Sequence, residues 1–477
     1  MRILQTKPAR AIVSKTLPRS YALGSMSDTP TRPAAAEGAS LAIPVTLAHP
    51  GAAVFWISVT LTGVGAGIGA ALLTRLLELL QHLAWPGPGQ TLLENVSHAR
   101  PLRHVLLLLI AGVVTGLAQL ALTRLTSANS VEITTAMWLD AGRLPVLRTL
   151  GSSVLSIVVV ALGASLGREG APKQVGAVIA NLLADSRRLS DEQRRLLVAC
   201  GAGAGMAAAY GVPLGGALFA LEVLRGLLAL RLVLPALTCS MVATLVAWIA
   251  LPDAPTYAFP AYASSATVDV WALLFGPVAG VVSVLYVRAI VWAERSRPDG
   301  WPRLFLPTLV LGVLGLVSIP FPQLLGNGRD IAELAFLGAV PPMLLVALVL
   351  LKPTATVLCT GSGTPGGLFT PSIALGALLG GALGHAWCLL WPGAAPGLFA
   401  VIGAAAVLSA TTQGPISSIV LLFELTGHDH SFIVPLLLAV ITATLTSRTI
   451  ETRSIYDARL TDEQVEARLR MRSPATQ

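Results

Sequence analysis

The sequence predicts an all-α polytopic membrane protein built as two inverted-topology repeats of tilted and partly broken helices. Three observations predict it. Of 477 residues, 54% are apolar and only 12% charged, about half the charged share of a soluble domain, and the mean hydropathy is +0.74. Apolar stretches recur, at 105–122, 154–166, 232–251 and 270–287 among others, and several are long enough for a hydrocarbon core of about 30 Å. Finally, residues roughly half a chain apart repeat one another. Gly201, Ala202, Ala204, Ala208, Pro213 and Glu222 meet Gly403, Ala404, Ala406, Ala410, Pro415 and Glu424 at a constant offset of 202.

The elements follow in order. Residues 1–48 are polar, rich in Pro, Ala and Ser, and lack the apolar run of a signal peptide, so a disordered cytoplasmic tail is expected, with Met1 or Met26 as the start. The first repeat is expected over 49–258 and the second over 259–447, with a cytoplasmic tail at 448–477. The chain ends at Gln477, so no further domain is expected after the second repeat. The net charge of +8 gathers at the two ends, with Arg2, Lys7, Arg10, Lys15 and Arg19 before the first span and Arg448, Arg453, Arg459, Arg468, Arg470 and Arg472 after the last. The positive-inside rule then places both termini in the cytoplasm. These basic tails carry almost no interleaved aromatics, so lipid headgroups fit them and nucleic acid does not. Cys200, Cys239, Cys359 and Cys388 lie in apolar segments with no CxxC pair or clustered His, and read as small core residues, not disulfides or metal ligands.

The chain's 45 glycines and 32 prolines interrupt many of the apolar stretches. Half-length helices of that kind suit a transport protein, and an odd number of crossings in each repeat would invert the halves and put a site at the midplane between them. Upstream the repeat offset becomes 200, where Gly167, Gly176 and Ala177 meet Gly367, Gly376 and Ala377, setting Glu169 opposite Phe369. The run GASLGREGAP at 163–172 places Glu169 among glycines directly after an apolar helix. A carboxylate at that depth is costly unless it is used. Glycines admit close backbone approach, and the unpaired N–H groups of a following helix start favour an anion. Glu169 is then a tethered anion competing for that seat. In the second half GSGTPGGLFTP at 361–371 ends in a similar helix start, where the amides of Leu368 and Phe369 can hold an ion.

GREG after a long helix, GSGTPGGLFTP some 200 residues later and SIY at 454–456 together resemble the ClC chloride channel and antiporter family over about residues 50–460. The run AAAYGVPL at 207–214, the GSGTPGG run, and SRT at 447–449 followed by SIY resemble in particular its bacterial ClcB-type branch. The resemblance implies the ClC fold in a bacterial inner membrane, a homodimer whose subunits each carry an anion pathway for chloride and similar small anions, and no enzyme activity, cofactor, nucleotide or metal. It makes Glu169 the anion gate. It assigns Gly167, Arg168, Gly170, Gly367, Leu368 and Phe369 to anion binding, with the Tyr456 hydroxyl contributing from the cytoplasmic side. Without the resemblance, Tyr456 reads equally as an interfacial aromatic anchor. The nucleotide-sensing CBS domains of many relatives are not expected.

Two positions depart from the family. Its first-half GSGIPE run stands here as SANSVE at 127–132, so Ala128 falls where a pore serine belongs; Ser127 or Ser130 substitutes after a register shift, or backbone donors serve alone. Val223 follows Glu222 where coupled antiporters carry a second glutamate, and a valine passes no protons. That favours conduction over proton-coupled exchange, although Glu169 serves either. Glu222 and Glu424, being repeat-equivalent, are expected to accept hydrogen bonds from backbone amides. Lys173 and Lys352 are expected to snorkel or to line a pathway, and Arg168 to draw an anion inward or bond a carbonyl. A remote alternative of another class is an intramembrane serine hydrolase using Ser165 or Ser362 with His385, which needs a serine within hydrogen-bond reach of its base.

Overall fold

The computed structural model describes residues 52–466 apart from 126–131, 227, 261, 263, 299, 428–431, 458 and 459. Both expected tails fall largely outside that range, as do Ser127, Ala128 and Ser130. The first half comprises α1 (Ala52–Ala84), α2 (Leu92–Ser97), α3 (Pro101–Leu125), α4 (Ile133–Leu139), α5 (Val146–Ala161), α6 (Gly170–Ser186), α7 (Asp191–Tyr210), α8 (Pro213–Leu218), a π-helical segment Phe219–Arg225 and α9 (Leu230–Trp248). The second comprises α10 (Ala266–Arg295), α11 (Pro302–Val317), α12 (Arg329–Phe336), α13 (Pro342–Gly361), α14 (Phe369–Leu390), α15 (Pro396–Thr412), α16 (Pro415–Thr426) and α17 (Ile433–Ile450), with 3-10 turns at Pro322–Leu324 and Ile455–Asp457. Six helical segments among the described residues are long and apolar enough to cross a membrane, while α5, α11, α15 and α16 are apolar but short.

Small residues set the helix spacing. A Cβ at Gly63 would lie 2.7 Å from the Cys239 carbonyl oxygen and one at Gly67 2.5 Å from that of Ala243, so α1 and α9 touch backbone to backbone. The same contact recurs in the second half, where a Cβ at Gly276 would lie 2.8 Å from the Ala439 oxygen and one at Gly280 2.6 Å from that of Ala443. Gly176 of α6 meets the Gly201 carbonyl of α7, and Gly376 of α14 meets the Gly403 carbonyl of α15. Between helices whose surroundings are as apolar as their side chains, such close approach supplies the dispersion contact that hydrophobicity cannot. The repeat seen in the sequence is therefore a repeat in packing.

Both halves also stop a helix in the same way. Gly163 after α5 and Gly363 after α13 have φ of +115° and +87°, a region that a side chain disfavours. Behind each, the next amide reaches back along the helix: Ala164 to the Val159 carbonyl at 3.0 Å and Thr364 to the Cys359 carbonyl at 3.2 Å. Each helix ends in this tight αL cap, and the chain then turns toward the centre of the molecule. There the only isolated bridge among the described residues joins Gly167 and Gly367 antiparallel. The Gly167 amide donates to the Gly367 carbonyl at 2.8 Å and the Gly367 amide to the Gly167 carbonyl at 2.7 Å. A mutual bond between repeat-equivalent residues places a two-fold axis between the halves and runs their chains in opposite senses.

Candidate anion site

The bridge brings the starts of α6 and α14 together. Glu169, fully buried, leaves the N-cap of its own helix and reaches across to the other. One carboxylate oxygen accepts the Phe369 amide at 2.6 Å and the Thr370 amide at 3.4 Å. The other accepts the Thr370 hydroxyl at 3.1 Å and the Tyr210 hydroxyl at 3.4 Å, and those two hydroxyls lie 2.9 Å apart. A buried carboxylate needs such a set of donors, and a helix start adds the attraction of its dipole for negative charge. The seat is closely fitted, since a Cβ at either Gly167 or Gly367 would overlap the carboxyl group, and one at Gly170 would stand 3.4 Å from the Gly367 amide nitrogen.

Two further carboxylates use helix starts in the same manner. Glu222 accepts the Ile416 amide at 3.1 Å and the Ser417 amide at 2.6 Å at the start of α16. Glu424 accepts the Leu214 amide at 2.9 Å and the Gly215 amide at 2.6 Å at the start of α8. The expected acceptor role of this pair is what the geometry shows.

On the other side of the bridge lies a cavity of about 80 Å³ lined by Gly170, Lys173, Gly367, Leu368 and Tyr456, together with Glu132 and others. The Tyr456 ring packs edge-on against Phe219 with centroids 5.5 Å apart, and its hydroxyl faces Lys173 Nζ at 3.5 Å. Helices α4 and α6 of the first half, α10 and α13 of the second, and the segment after the last helix thus converge on one small volume.

Residues 126–448 match the sequence model of the family described as voltage gated chloride channel, and that span is more than half of the chain. The chain belongs to this family. A ClcB-like chloride channel protein of Ralstonia nicotianae is 34% identical over 404 residues, 81% of this chain and 93% of its own length. The voltage-gated ClC-type chloride channel ClcB of Salmonella typhi is 30% identical over 83% of this chain and 96% of its own. A slow cyanobacterial Cl-/H+ antiporter has the same fold, with a TM-score of 0.75 at 22% identity over 88% of this chain and 99% of its own. A CLC-type fluoride/proton antiporter follows at a TM-score of 0.68 and 24% identity, covering 85% of this chain and 98% of its own. The all-α ClC fold is thereby established, and with it a multi-pass membrane protein of a channel and transporter family, not an enzyme.

Several expectations change against this ClC structure. Lys173 and Lys352 do not snorkel: they are 5% and 1% exposed, with their side chains enclosed by protein. Lys173 lines the cavity instead, the other half of that expectation. Lys352 Nζ donates to the carbonyls of Leu324 at 2.8 Å and Gly326 at 2.9 Å, tying α13 to the turn before α12. Arg168 bonds no carbonyl among the described residues; its guanidinium lies 5.1 Å from the Tyr210 ring centroid. The hydrolase geometry is absent. Ser362 Oγ donates to the Cys359 carbonyl at 2.7 Å, Ser165 Oγ has no hydrogen-bond partner among the described residues, and His385 Nδ1 is bonded to the Gly381 carbonyl at 2.9 Å in its own helix. The cysteines are free, three of them buried and Cys388 partly so. Val223 is buried, and its Cγ2 would lie 2.6 Å from a Cβ at Gly414.

Sequence reasoning passed over Tyr210 and Thr370, although both stand inside quoted motifs. A hydroxyl in the run 207–214 and another one residue after Phe369 are the signals available. Lys173 also carried one, since a residue four positions after Glu169 shares its helix face.

Proposed function

We propose that this protein conducts chloride and similar small anions passively across the bacterial inner membrane, with Glu169 as the gate. One observation supports this most directly: the Glu169 carboxylate rests on the Phe369 amide at 2.6 Å, and a seat made of backbone donors at a helix start suits any small anion. While the carboxylate occupies it, the pathway is closed. When the side chain takes a proton or swings away, a chloride ion takes up the same donors, helped by the close backbone approach that Gly167, Gly170, Gly367 and Leu368 allow, with Arg168 biasing the approach. The Tyr456 hydroxyl meets the ion on the side of the C-terminal tail. Where the family has a pore serine this chain has Ala128, with Ser127 or Ser130 as substitutes, so side-chain donors there are fewer. Val223 gives a proton no group to ride on. The protein acts as a homodimer with one pathway per subunit, repeats over 49–258 and 259–447, and both termini cytoplasmic. The flow dissipates about 2.3 kcal/mol per unit charge at 100 mV.

Proton-coupled exchange is the second reading, favoured by the carboxyl of Glu132 in the cavity wall. The reversal potential of purified protein in planar bilayers separates them, measured under a chloride gradient with and without an opposing pH gradient. A passive pathway reverses at the chloride equilibrium potential and ignores pH, and a shift with the proton gradient would overturn the passive reading. Glu169→Ala is expected to conduct without pH dependence and about tenfold faster, the factor that loss of a roughly 1.4 kcal/mol closure produces.

A further inference from the structure

We infer that Lys173 is an anion-coordinating residue of this pathway, holding a monovalent inorganic anion in the cavity beside Tyr456 by full charge. The inference deepens the conduction reading and rests on it.

The repeat itself argues that the fold does not ask for a lysine here. At the offset of 200, Lys173 of α6 corresponds to Ile373 of α14, which is 1% exposed. The packing at this position is thus satisfied by an apolar side chain in one half, and an ammonium in the other has a different purpose. The negative charges of Glu169 and Glu132 act on it from a distance, without direct contact. Among the described residues Lys173 Nζ has one hydrogen-bond partner, the Tyr456 hydroxyl at 3.5 Å, and lies 4.6 Å from the Tyr456 ring centroid and 5.1 Å from that of Phe219. Two ring faces stabilise a cation, but an ammonium carries three donors. Among the described residues no ion pair joins it to a carboxylate. Glu294, in the same cavity wall, is held by Arg297 at 2.7 Å.

What the cavity offers in addition is suited to an anion. Gly170, Gly367 and Leu368 bring backbone to its wall, and at the start of α6 no carboxylate arrives from the other half, because the repeat mate of Glu169 is Phe369. A small anion placed there gains the ammonium, the Tyr456 hydroxyl and the positive end of α6. A charge-assisted contact of this sort is roughly twice as strong as a neutral one, so Lys173 more than offsets the serine that Ala128 replaces. The site then selects by charge more than by size. A fixed cation also opposes the entry of protons from the Tyr456 side, in keeping with Val223.

The test combines binding and transport by the full chain. Chloride titrated into purified protein by calorimetry should bind wild type and Lys173→Arg within a few-fold of each other, with Lys173→Met weaker by about tenfold or more. Glu132→Gln should bind at least as tightly as wild type, because it removes a like charge to the anion. Wild-type chloride efflux from liposomes is run beside these. No wild-type efflux defeats the conduction reading itself, whereas wild-type efflux with unchanged chloride affinity in Lys173→Met defeats only the role of the lysine. Should Lys173→Met not fold, bromide soaked into wild-type crystals decides: anomalous density in contact with Lys173 Nζ is expected, and bromide found only elsewhere overturns the inference.

Discussion

Three glutamates in this ClC protein use one device, a carboxylate on the free amides of a helix start, yet two of them obey the two-fold relation between the halves and one does not. Glu222 reaches from the first half to α16 and Glu424 from the second half to α8, with matching amide distances of 2.6 Å at Ser417 and Gly215. Glu169 also crosses between the halves, but its repeat position is Phe369, so nothing crosses back. Releasing either carboxylate of the reciprocated clamp would unpair the two amides of a partly buried helix start. A single carboxylate on a single seat has no such partner, and the proposed gating needs only its release to a free anion. Doubling marks the parts that clamp one half to the other, and the broken symmetry falls at the seat proposed as the gate.

The largest effect expected from disturbing this comparison is on stability. Glu222→Ala and Glu424→Ala each strand two backbone amides and should each cost about 3 kcal/mol, read as a fall in unfolding midpoint in detergent. If the clamps are equivalent, the two losses agree within about 1 kcal/mol; a large inequality would mean that one of them does something besides clamping.

A smaller effect belongs to the unpaired side. Thr370→Val and Tyr210→Phe each remove one hydroxyl from the Glu169 carboxylate and leave the helix ends capped. Each should raise chloride efflux about fivefold, the factor for a contact of about 1 kcal/mol, with the unfolding midpoint unchanged. Stability loss without faster efflux would place these hydroxyls with the clamps.

The smallest effect tests the end of the second half, where the tail is tied back by Asp462. Its carboxylate receives Arg295 at 2.7 Å and also contacts Arg453. The Arg295 bond first, and then that of Arg453, hold its carboxyl below the usual range. Because the folded value is the depressed one, the stabilisation is present above the unfolded value and is lost as pH falls through the folded one. The pair is exposed, so salt should weaken it. Acid unfolding followed for wild type and Asp462→Asn should differ slightly at neutral pH and converge at low pH, and a difference that grows on acidification would reverse the sign.

Much of this was legible beforehand because repetition is visible in letters. Pro213 and Pro415 mark helix starts at equal spacing, Glu222 and Glu424 follow each by the same interval, and glycines at 167 and 367 announce a close approach. Less legible were groups whose meaning depends on what lies opposite. Tyr210 looks like a bulky core residue until Thr370 is found 2.9 Å from its hydroxyl, some 160 positions along the chain. Lys173 and Lys352 look alike as lone cations in apolar helices, and only their neighbours separate them: three carbonyls close upon Lys352, while Lys173 faces a cavity.

By itself the sequence determined the membrane class, the doubled architecture and the place of Glu169 among glycines at a helix start, since hydropathy, repeat offset and glycine spacing are properties of order along the chain. The tertiary structure alone decided which helix start Glu169 occupies, which hydroxyls hold it there and which lysine meets the cavity. Those are contacts between residues far apart in sequence, set by how closely the glycine-lined helices pack, and no local pattern encodes them.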